Sequence, residues 1–560
     1  MLVGWGSIPE FAMRLPQRAI GASSKAKPPD MRAPFSRTLP DLLCEQALRH
    51  GDCAAVISDG RVTSYAELAR RAAELASGLR ARGVKRGDRV GLLASNRTEW
   101  IEICFGALAA GAVLVPISTW STQAELEFIL ADADVEILFS VASVGKENFV
   151  TNLSELRPRL PNLRMLVMVN GTAPDEEWLC YESIFASAQI DLPPGDGPSA
   201  TDDCLILYTS GSTSKPKAVR LAHYGLIENG FNIGERQGLV PSDRVLASVP
   251  MFWAYGAANA LPATFTHGAT LVLQERFEPG AALSIIETHQ CTAIYTLPGM
   301  TSALIGHDDF NSERTRSLRT GLTIGNPQDV INAASILGAA QICNIYGSSE
   351  TYGNCCVTPH DWPLERRSAS QGPPLPGVHI RFIDVESGKP VMRGSAGLIE
   401  VRGYIMLGYG GQSAIHNAQI FTKDGWYRTG DIGTLTAEGE IVFLGRNSEM
   451  IKRAGINVSP AEVEDVLMQH ADVAEAAVVG VPDSKRGETI IAFIVLATGS
   501  SLSEDALIAH CRKIVSSYKL PDRIEIRESL PCTTTGKLMR QSLKSEAAKL
   551  VGAMETSDGA

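Results

Sequence analysis

Two hydrophobic patterns alternate along most of the chain. Apolar residues recur at helical spacing over residues 64–83, which end on glycine, and the short apolar run DRVGLLAS follows. The same succession of helix and strand patterns recurs in AELEFILADADVEILFS and in EPGAALSIIETHQCTAIYTLP. Strands that alternate with helices of this length predict parallel sheets covered by helices, which is an α/β fold.

The pattern changes after about Ser368. Three strand-like runs, GVHIRFID, AGLIEVRG and GEIVFLG, are separated by glycine-rich turns and predict a mainly β subdomain. Helix and strand patterns then alternate in a final compact stretch. We therefore predict an unassigned N-terminal extension at 1–36, a large α/β domain with its β subdomain at 37–446, and a small α+β domain at 447–560.

Length, charge and cysteine content narrow the class of protein. With 560 residues the chain is too long for one core, and a hydrophobic content of 44% is ordinary for a globular protein. The net charge of −11 argues against nucleic-acid binding. The 11 cysteines lack metal-ligand spacing, so we expect reduced thiols and a cytoplasmic location. No run is long and apolar enough to predict integral membrane association, and nothing indicates an oligomeric state.

One short stretch has the composition of a phosphate-binding loop. The run YTSGSTSKPKAV follows the apolar run CLILY, so a buried strand is expected to break into a turn rich in hydroxyl and N–H donors. Small residues let the backbone approach a ligand closely, and lysine adds a positive charge. The same residue types are common in ordinary loops, and the pattern G-x-x-x-x-G-K-[ST] is absent. The stretch alone therefore suggests phosphate binding without establishing it.

Five further stretches follow this one in a characteristic order. They are NIYGSSETYG, GWYRTGDIG, GRNSEMIKRAGINVSPAEVE, VVGVPDSKRGETIIAFIV and LPCTTTGKLMR. Together with the first stretch, they resemble the motifs of the adenylate-forming superfamily of acyl-CoA synthetases, adenylation domains and luciferases. The resemblance runs from about Thr38 to Leu543. It implies a large N-terminal domain and a small C-terminal domain that is mobile about a hinge.

The resemblance implies a reaction and a set of site residues. A carboxylic acid would attack the α-phosphate of ATP, with Mg²⁺ present, and the acyl-AMP would then react with CoA. The implied catalytic residues are Lys537, Glu350 and Thr213, with Glu350 as the metal ligand. The implied ATP-binding residues are Ser210, Gly211, Ser212, Thr213, Lys217, Gly325, Asn326, Pro327, Tyr346, Ser349, Asp431 and Arg446. Ser448 is implied at the hinge, where Asp or Lys is usual, and Gly455 at the CoA tunnel.

The acyl pocket is implied by the segment PMFWAYGAANA, in which Trp253 stands where many relatives have histidine. The predicted lining is Trp253, Tyr255, Gly256 and Met300. No aspartate stands in this segment to bind a substrate ammonium group, which disfavours an amino acid. These residues favour a hydrophobic monocarboxylic acid, although each aromatic side chain could instead belong to the core.

Three functions remain open from the sequence. The first is an ATP-dependent acyl-CoA ligase. The second keeps the adenylation step but changes the acceptor to a carrier-protein thiol, an amine that forms an amide, or oxygen in a light-emitting reaction. The third is a binding protein without turnover, which the joint presence of Lys537, Glu350, Asp431 and Lys217 disfavours.

Overall fold

A computed structural model describes residues 33–187, 197–209, 215–453, 456–483, 487–532 and 538–555. Helices and strands alternate as the hydrophobic pattern predicts, and the α/β fold is confirmed. The amphipathic stretch at 64–83, for example, forms a helix from Tyr65 to Ala81. Ser64 caps this helix, because its side chain accepts a hydrogen bond from the Glu67 N–H.

The strands of the described residues are, in chain order, β1 (Ala54–Ser58), β2 (Arg61–Ser64), β3 (Arg89–Leu93), β4 (Val113–Pro116), β5 (Val135–Ser140), β6 (Ser143–Val144), β7 (Glu147–Asn148), β8 (Met165–Met168), β9 (Trp178–Cys180), β10 (Asp203–Thr209), β11 (Lys217–Ala222), β12 (Arg244–Ala247), β13 (Thr270–Leu273), β14 (Ala293–Tyr295), β15 (Thr320–Thr323), β16 (Cys343–Tyr346), β17 (Cys356–Val357), β18 (His379–Ile383), β19 (Gly397–Arg402), β20 (Tyr427–Leu435), β21 (Ile441–Arg446), β22 (Ile451–Arg453), β23 (Ile456–Val458), β24 (Val473–Asp483), β25 (Gly487–Leu496) and β26 (Arg523–Arg527).

The α-helices of the same residues are α1 (Leu39–His50), α2 (Tyr65–Ala81), α3 (Thr98–Ala109), α4 (Gln123–Asp132), α5 (Phe149–Leu156), α6 (His223–Gln237), α7 (Leu261–Thr266), α8 (Pro279–His289), α9 (Pro298–Ile305), α10 (Pro327–Ile331), α11 (Leu364–Ala369), α12 (Asn417–Ile420), α13 (Pro460–Met468), α14 (Glu504–Arg512) and α15 (Arg540–Glu555).

Two large sheets carry the N-terminal part of the fold. The first has the order β17-β16-β15-β14-β12-β13-β1-β2, in which the strands from β16 to β1 run parallel and the two edge strands are antiparallel. The second has the order β11-β10-β4-β3-β5-β8-β9 and is parallel except for its β10–β11 hairpin. Residues that follow the carboxyl ends of such strands converge at one edge of the sheet, which is where α/β folds bind ligands.

The chain divides into two compact units. One unit runs to His379 and takes in Val401–Tyr427, and the other comprises Ile380–Glu400 and the chain from Arg428 onward. Most of the sheet β18-β19-β20-β21 falls in the second unit, as does the sheet β23-β22-β25-β24, to which β26 adds by pairing with β25. The predicted domain boundary between residues 446 and 447 falls within this second unit and remains a prediction.

Each unit has a buried apolar core. In the first unit, the strand residues Ile57, Leu246 and Ile294 pack with α8 and α10. In the second unit, α13 and α14 pack on β24 and β25 through Val463, Leu507 and other apolar side chains. Within the described ranges, none of the helices combines the length and hydrophobicity needed to cross a bilayer.

Candidate active site

The predicted phosphate loop connects two strands of the second sheet. The strands β10 and β11 pair antiparallel, and Thr209 lies opposite Lys217 in the register. The loop residues Ser210, Gly211, Ser212 and Thr213 lie outside the described residues, so their predicted phosphate contacts remain predictions. Lys217 is the first residue of β11. Its position at the end of the hairpin places its charge at the base of the loop.

Lys217 and Glu350 approach the same aromatic side chain. The Lys217 Nζ lies 5.4 Å from the ring centroid of Tyr409. The Tyr409 O–H donates a hydrogen bond to Glu350 Oε1 at 2.8 Å. A lysine over an aromatic face gains a cation–π interaction, and the donated hydrogen bond fixes one oxygen of the carboxylate. The structure therefore brings together two of the predicted site residues through a third residue that the sequence analysis missed.

The segment around Tyr409 is anchored to both of these elements. The Met406 N–H donates to the Glu350 carbonyl oxygen at 2.7 Å, and the Gly410 N–H donates to the Ala218 carbonyl oxygen at 2.8 Å. The Ala218 N–H in turn donates to Ser413 Oγ at 3.1 Å. In the sequence this segment reads GYIMLGYGG, which by itself is typical of a turn. Only the tertiary contacts show that it holds the Glu350 turn beside β11.

The turn predicted to contact adenine, residues 325–327, forms the capped N-terminus of helix α10. Asn326 is the N-cap of α10, and Pro327 occupies its first position. The Asn326 Oδ1 accepts from the Asp329 N–H, and Asp329 Oδ2 accepts from the Asn326 N–H, both at 3.0 Å. A Cβ on Gly325 would lie 2.6 Å from Asp329 Cβ, so a larger residue there would require the capped turn to shift. Burial raises the pKa of Asp329 to about 6.

The other predicted ATP-binding residues of this unit lie around β16. Tyr346 is the last residue of β16 and is 7% exposed. Ser349 and Glu350 follow in a short 3₁₀ turn, Ser349–Thr351. The loops after β15 and β16 therefore leave neighbouring parallel strands at the same sheet edge. This placement agrees with a shared nucleotide site, although the individual nucleotide contacts remain predictions.

The four predicted acyl-pocket residues divide into a buried group, Tyr255 and Gly256, and a half-buried group, Trp253 and Met300. Tyr255 is buried, and its O–H donates to the Leu322 carbonyl oxygen at 2.9 Å, where burial raises its pKa. Gly256 lies against the Pro250 carbonyl, which a Cβ would approach to 2.4 Å. Trp253 is half-buried and makes an edge contact with Trp120 at 5.2 Å between centroids. Met300 is half-buried on α9.

In the second unit, the two residues predicted to bind ribose form an ion pair. Asp431 and Arg446 lie opposite each other on β20 and β21, and Arg446 Nε is 2.9 Å from Asp431 Oδ1. Asp431 is 4% exposed, so its carboxylate is buried beside the Arg446 guanidinium. Ser448 is exposed in the turn that follows β21. Gly455 and Lys537 lie outside the described residues, and their roles remain predictions.

Comparisons with known proteins place this geometry in a family. The model of the AMP-binding enzyme family matches residues 43–410, and that of the AMP-binding enzyme C-terminal domain matches residues 462–537. Acyl-CoA ligase SID4 of Ajellomyces capsulatus is 32% identical over 553 residues, covering 94% of this chain and 93% of its own. Feruloyl-CoA synthase of an Amycolatopsis species is 34% identical over 504 residues, which cover 89% of this chain and 95% of that protein.

A solved structure shows the same fold. The anthranilate CoA ligase AuaEII in complex with anthranoyl-AMP superposes with a TM-score of 0.82 at 29% identity, covering 93% of this chain and 99% of its own. The family models together span most of the chain, and the relatives match it nearly end to end. The chain belongs to the AMP-binding enzyme family, in the acyl-CoA synthetase branch of the adenylate-forming superfamily.

Proposed function

We propose that this protein is an ATP-dependent acid–thiol ligase that converts a mainly apolar carboxylic acid to its CoA thioester. In the first step, a carboxylate oxygen bonds to the α-phosphorus of ATP, and pyrophosphate leaves. In the second step, the CoA thiolate bonds to the acyl carbon, and AMP leaves. The relatives named as acyl-CoA ligases and the structure bound to anthranoyl-AMP support both steps.

The observation that carries the proposal is the linkage of Lys217 to Glu350 through Tyr409. Joining two anions requires positive charge near the phosphates and a fixed position for each reacting group. Lys217 supplies a positive charge at the base of the predicted phosphate loop. The hydrogen bond from Tyr409 holds the Glu350 carboxylate in place beside it.

The arrangement at Glu350 also fits Mg²⁺. This ion binds through one or two carboxylates and completes its coordination with phosphate oxygens and water. Glu350 supplies one half-buried carboxylate, and Tyr409 orients one of its two oxygens. When bound, Mg²⁺ would neutralise part of the phosphate charge. We assign Glu350 as its protein ligand, with Ser349 beside it.

The other predicted site residues would contact the remaining parts of ATP and the acid. The loop residues 210–213 would hold the departing pyrophosphate, and the turn at Gly325–Pro327 would contact adenine beside Tyr346. Asp431 would accept hydrogen bonds from the ribose hydroxyls, with Arg446 orienting its carboxylate. Lys537 would bridge the substrate carboxylate and the α-phosphate during the first step.

The test is pyrophosphate release across a panel of carboxylic acids, each run with and without CoA. We expect acid-dependent release, and mass spectrometry should find a CoA thioester only where CoA is present. Acyl-AMP that accumulates even with CoA would favour the second candidate, transfer to a carrier-protein thiol or an amine. ATP binding without acid-dependent pyrophosphate release would contradict adenylation itself.

A further inference from the structure

Three buried asparagines surround the backbone of residues 352–354, directly after the Glu350 turn. Asn229 is on α6, Asn259 lies in the π-helical turn Tyr255–Ala260, and Asn354 precedes β17. Asn229 and Asn259 are fully buried, and Asn354 is 1% exposed. Amide side chains at this depth normally have hydrogen-bond partners, because an unpaired buried polar group costs stability.

The orientation of Asn259 is set by a chain of hydrogen bonds. Gln237 Nε2 donates to the Tyr295 hydroxyl at 3.0 Å, and that hydroxyl donates to Asn259 Oδ1 at 3.0 Å. The chain ends at Asn259 Nδ2, which has no hydrogen-bond partner among the described residues. A Cβ on Gly353 would lie 3.3 Å from this nitrogen. The donor therefore faces the segment that leads into Asn354.

Both polar atoms of the Asn354 side-chain amide, Oδ1 and Nδ2, are without a hydrogen-bond partner among the described residues. Its backbone is well fixed, because its carbonyl oxygen accepts from Asn229 Nδ2 at 2.8 Å. A buried donor of Asn259 and a buried donor and acceptor of Asn354 thus stand around one short segment.

This cluster adjoins the predicted acyl pocket. Tyr255 lies one turn before Asn259, and its ring packs on that of Tyr295 with the centroids 5.2 Å apart. The Tyr255 hydroxyl reaches the Leu322 carbonyl, three residues before Gly325. Asn259 therefore shares the neighbour Tyr295 with Tyr255, a predicted acyl-pocket residue whose hydroxyl lies beside the strand that leads to Gly325.

We propose that Asn259 and Asn354 recognise a neutral hydroxyl group on the acyl part of the substrate, so that the acid is a hydroxy acid with an otherwise apolar skeleton. This inference rests on the proposed ligase function. A hydroxyl group can accept from the Asn259 N–H and donate to Asn354 Oδ1 at the same time. A substrate ammonium or second carboxylate group would need an opposite charge, and each side chain of this cluster is uncharged. A site built to hydrogen-bond a hydroxyl also discriminates strongly against the analogue that lacks it.

The experiment compares acids that share a carbon skeleton and differ only in one hydroxyl, with the hydroxyl position varied between pairs. The measured quantity is the ratio of kcat/KM values for pyrophosphate release within each pair. We expect the wild-type protein to favour one hydroxy acid by at least about tenfold, the value of one hydrogen bond of ordinary strength. In Asn354→Leu, which has nearly the same shape without the amide, the ratio should fall to within about twofold of one.

Thermal melting separates substrate recognition from a structural role. Because Asn354→Leu removes an unpaired buried amide, its Tm should equal or exceed that of the wild type. Asn354→Ala removes the same amide but leaves a smaller side chain. Asn162→Leu makes the same substitution at an exposed asparagine and is the control for the effect of the substitution itself.

Two results would overturn the inference while leaving the ligase intact. One is a wild-type ratio near one in every pair while CoA thioesters form. The other is an unchanged preference in Asn354→Leu with a lowered Tm, which would make the amide structural. Absence of pyrophosphate release with every acid would instead contradict the proposed function, and the inference with it.

Discussion

At the scale of single residues, Glu350 owes its position to a partner far away in the sequence. Its carboxylate accepts from Tyr409, and its backbone carbonyl accepts from Met406, so one glycine-rich segment fixes both its main chain and its side chain. The motif around Glu350 predicts from sequence that this carboxylate binds the metal, and that role remains a prediction. Tyr409 could not be found in that way, because an aromatic residue between glycines has no pattern of its own.

Tyr409→Phe tests this support. The ring and its contact with Lys217 remain, but the hydrogen bond to Glu350 is lost, so we expect kcat/KM for pyrophosphate release to fall about tenfold or more. The melting temperature should change little. Tyr404→Phe, in the same segment, is the matched control. An equal loss in both variants would show that the effect comes from the segment and not from the Glu350 hydrogen bond.

Asp329 gives the adenine turn a pH-dependent stability. Its pKa is raised from 3.8 to about 6, so between these values the folded protein holds a proton that the unfolded chain has released. Stability contributed by this group is therefore greatest at low pH and is lost as the pH rises from about 4 to about 6. Asp329→Asn removes the titration.

The measurement is the difference in free energy of unfolding between Asp329→Asn and the wild type, taken from denaturant curves at several pH values. Relative to the wild type, the variant should become more stable across that window and show no further change above it. A difference that does not vary with pH would contradict the assignment.

At the scale of elements, the hydrophobic pattern predicted α2 and β3 to within two residues at each end, because α2 is amphipathic and β3 is an apolar, mostly buried run. The pattern carries no information about tertiary partners. Trp253 shows the consequence: it was predicted to line the acyl pocket, and the structure packs it against Trp120. Its contact with the acyl group of the substrate remains a prediction.

The last helix, α15, is tied to the second unit by a paired charge. Arg540 Nη2 is 2.8 Å from Glu464 Oε2, and a second bond joins Nη1 to Oε1 at 2.5 Å. Glu464 Oε1 also accepts from the Val478 N–H at 2.6 Å. The pair therefore fixes the first residue of α15, which follows Lys537 closely in the sequence.

Arg540→Gln should lower the free energy of unfolding by about 3 kcal/mol, because it leaves the largely buried Glu464 charge without its partner. Denaturant unfolding measures this directly. Lys544→Gln, which breaks the more exposed pair with Glu488 on the same helix, should cost less than about 1 kcal/mol. Equal costs for the two variants would mean that Arg540 does not anchor the helix.

At the scale of the whole molecule, the order of motifs along the chain predicted the family, and the comparisons confirm it. The unpaired amides of Asn259 and Asn354 lay beyond prediction. A buried asparagine with a partner and one without a partner look the same in a sequence, and only the hydrogen bonds around them differ.

The division of the reaction into two steps assigns a selective role to Lys537. Lys537→Ala should abolish most pyrophosphate release from ATP and acid, because the charge that bridges the two reacting anions is lost. Thioester formation from supplied acyl-AMP should be largely spared. Equal loss in the two half-reactions would remove this lysine from the adenylation step.

The most direct test of the central claim follows the oxygen atoms of the acid. An acid whose carboxylate carries heavy oxygen is turned over with ATP and CoA, and the products are analysed by mass spectrometry. If the carboxylate attacks the α-phosphate, one labelled oxygen must appear in AMP and none in pyrophosphate. Label in inorganic phosphate, with ADP as the nucleotide product, would show attack at the γ-phosphate and would contradict the acyl-AMP mechanism.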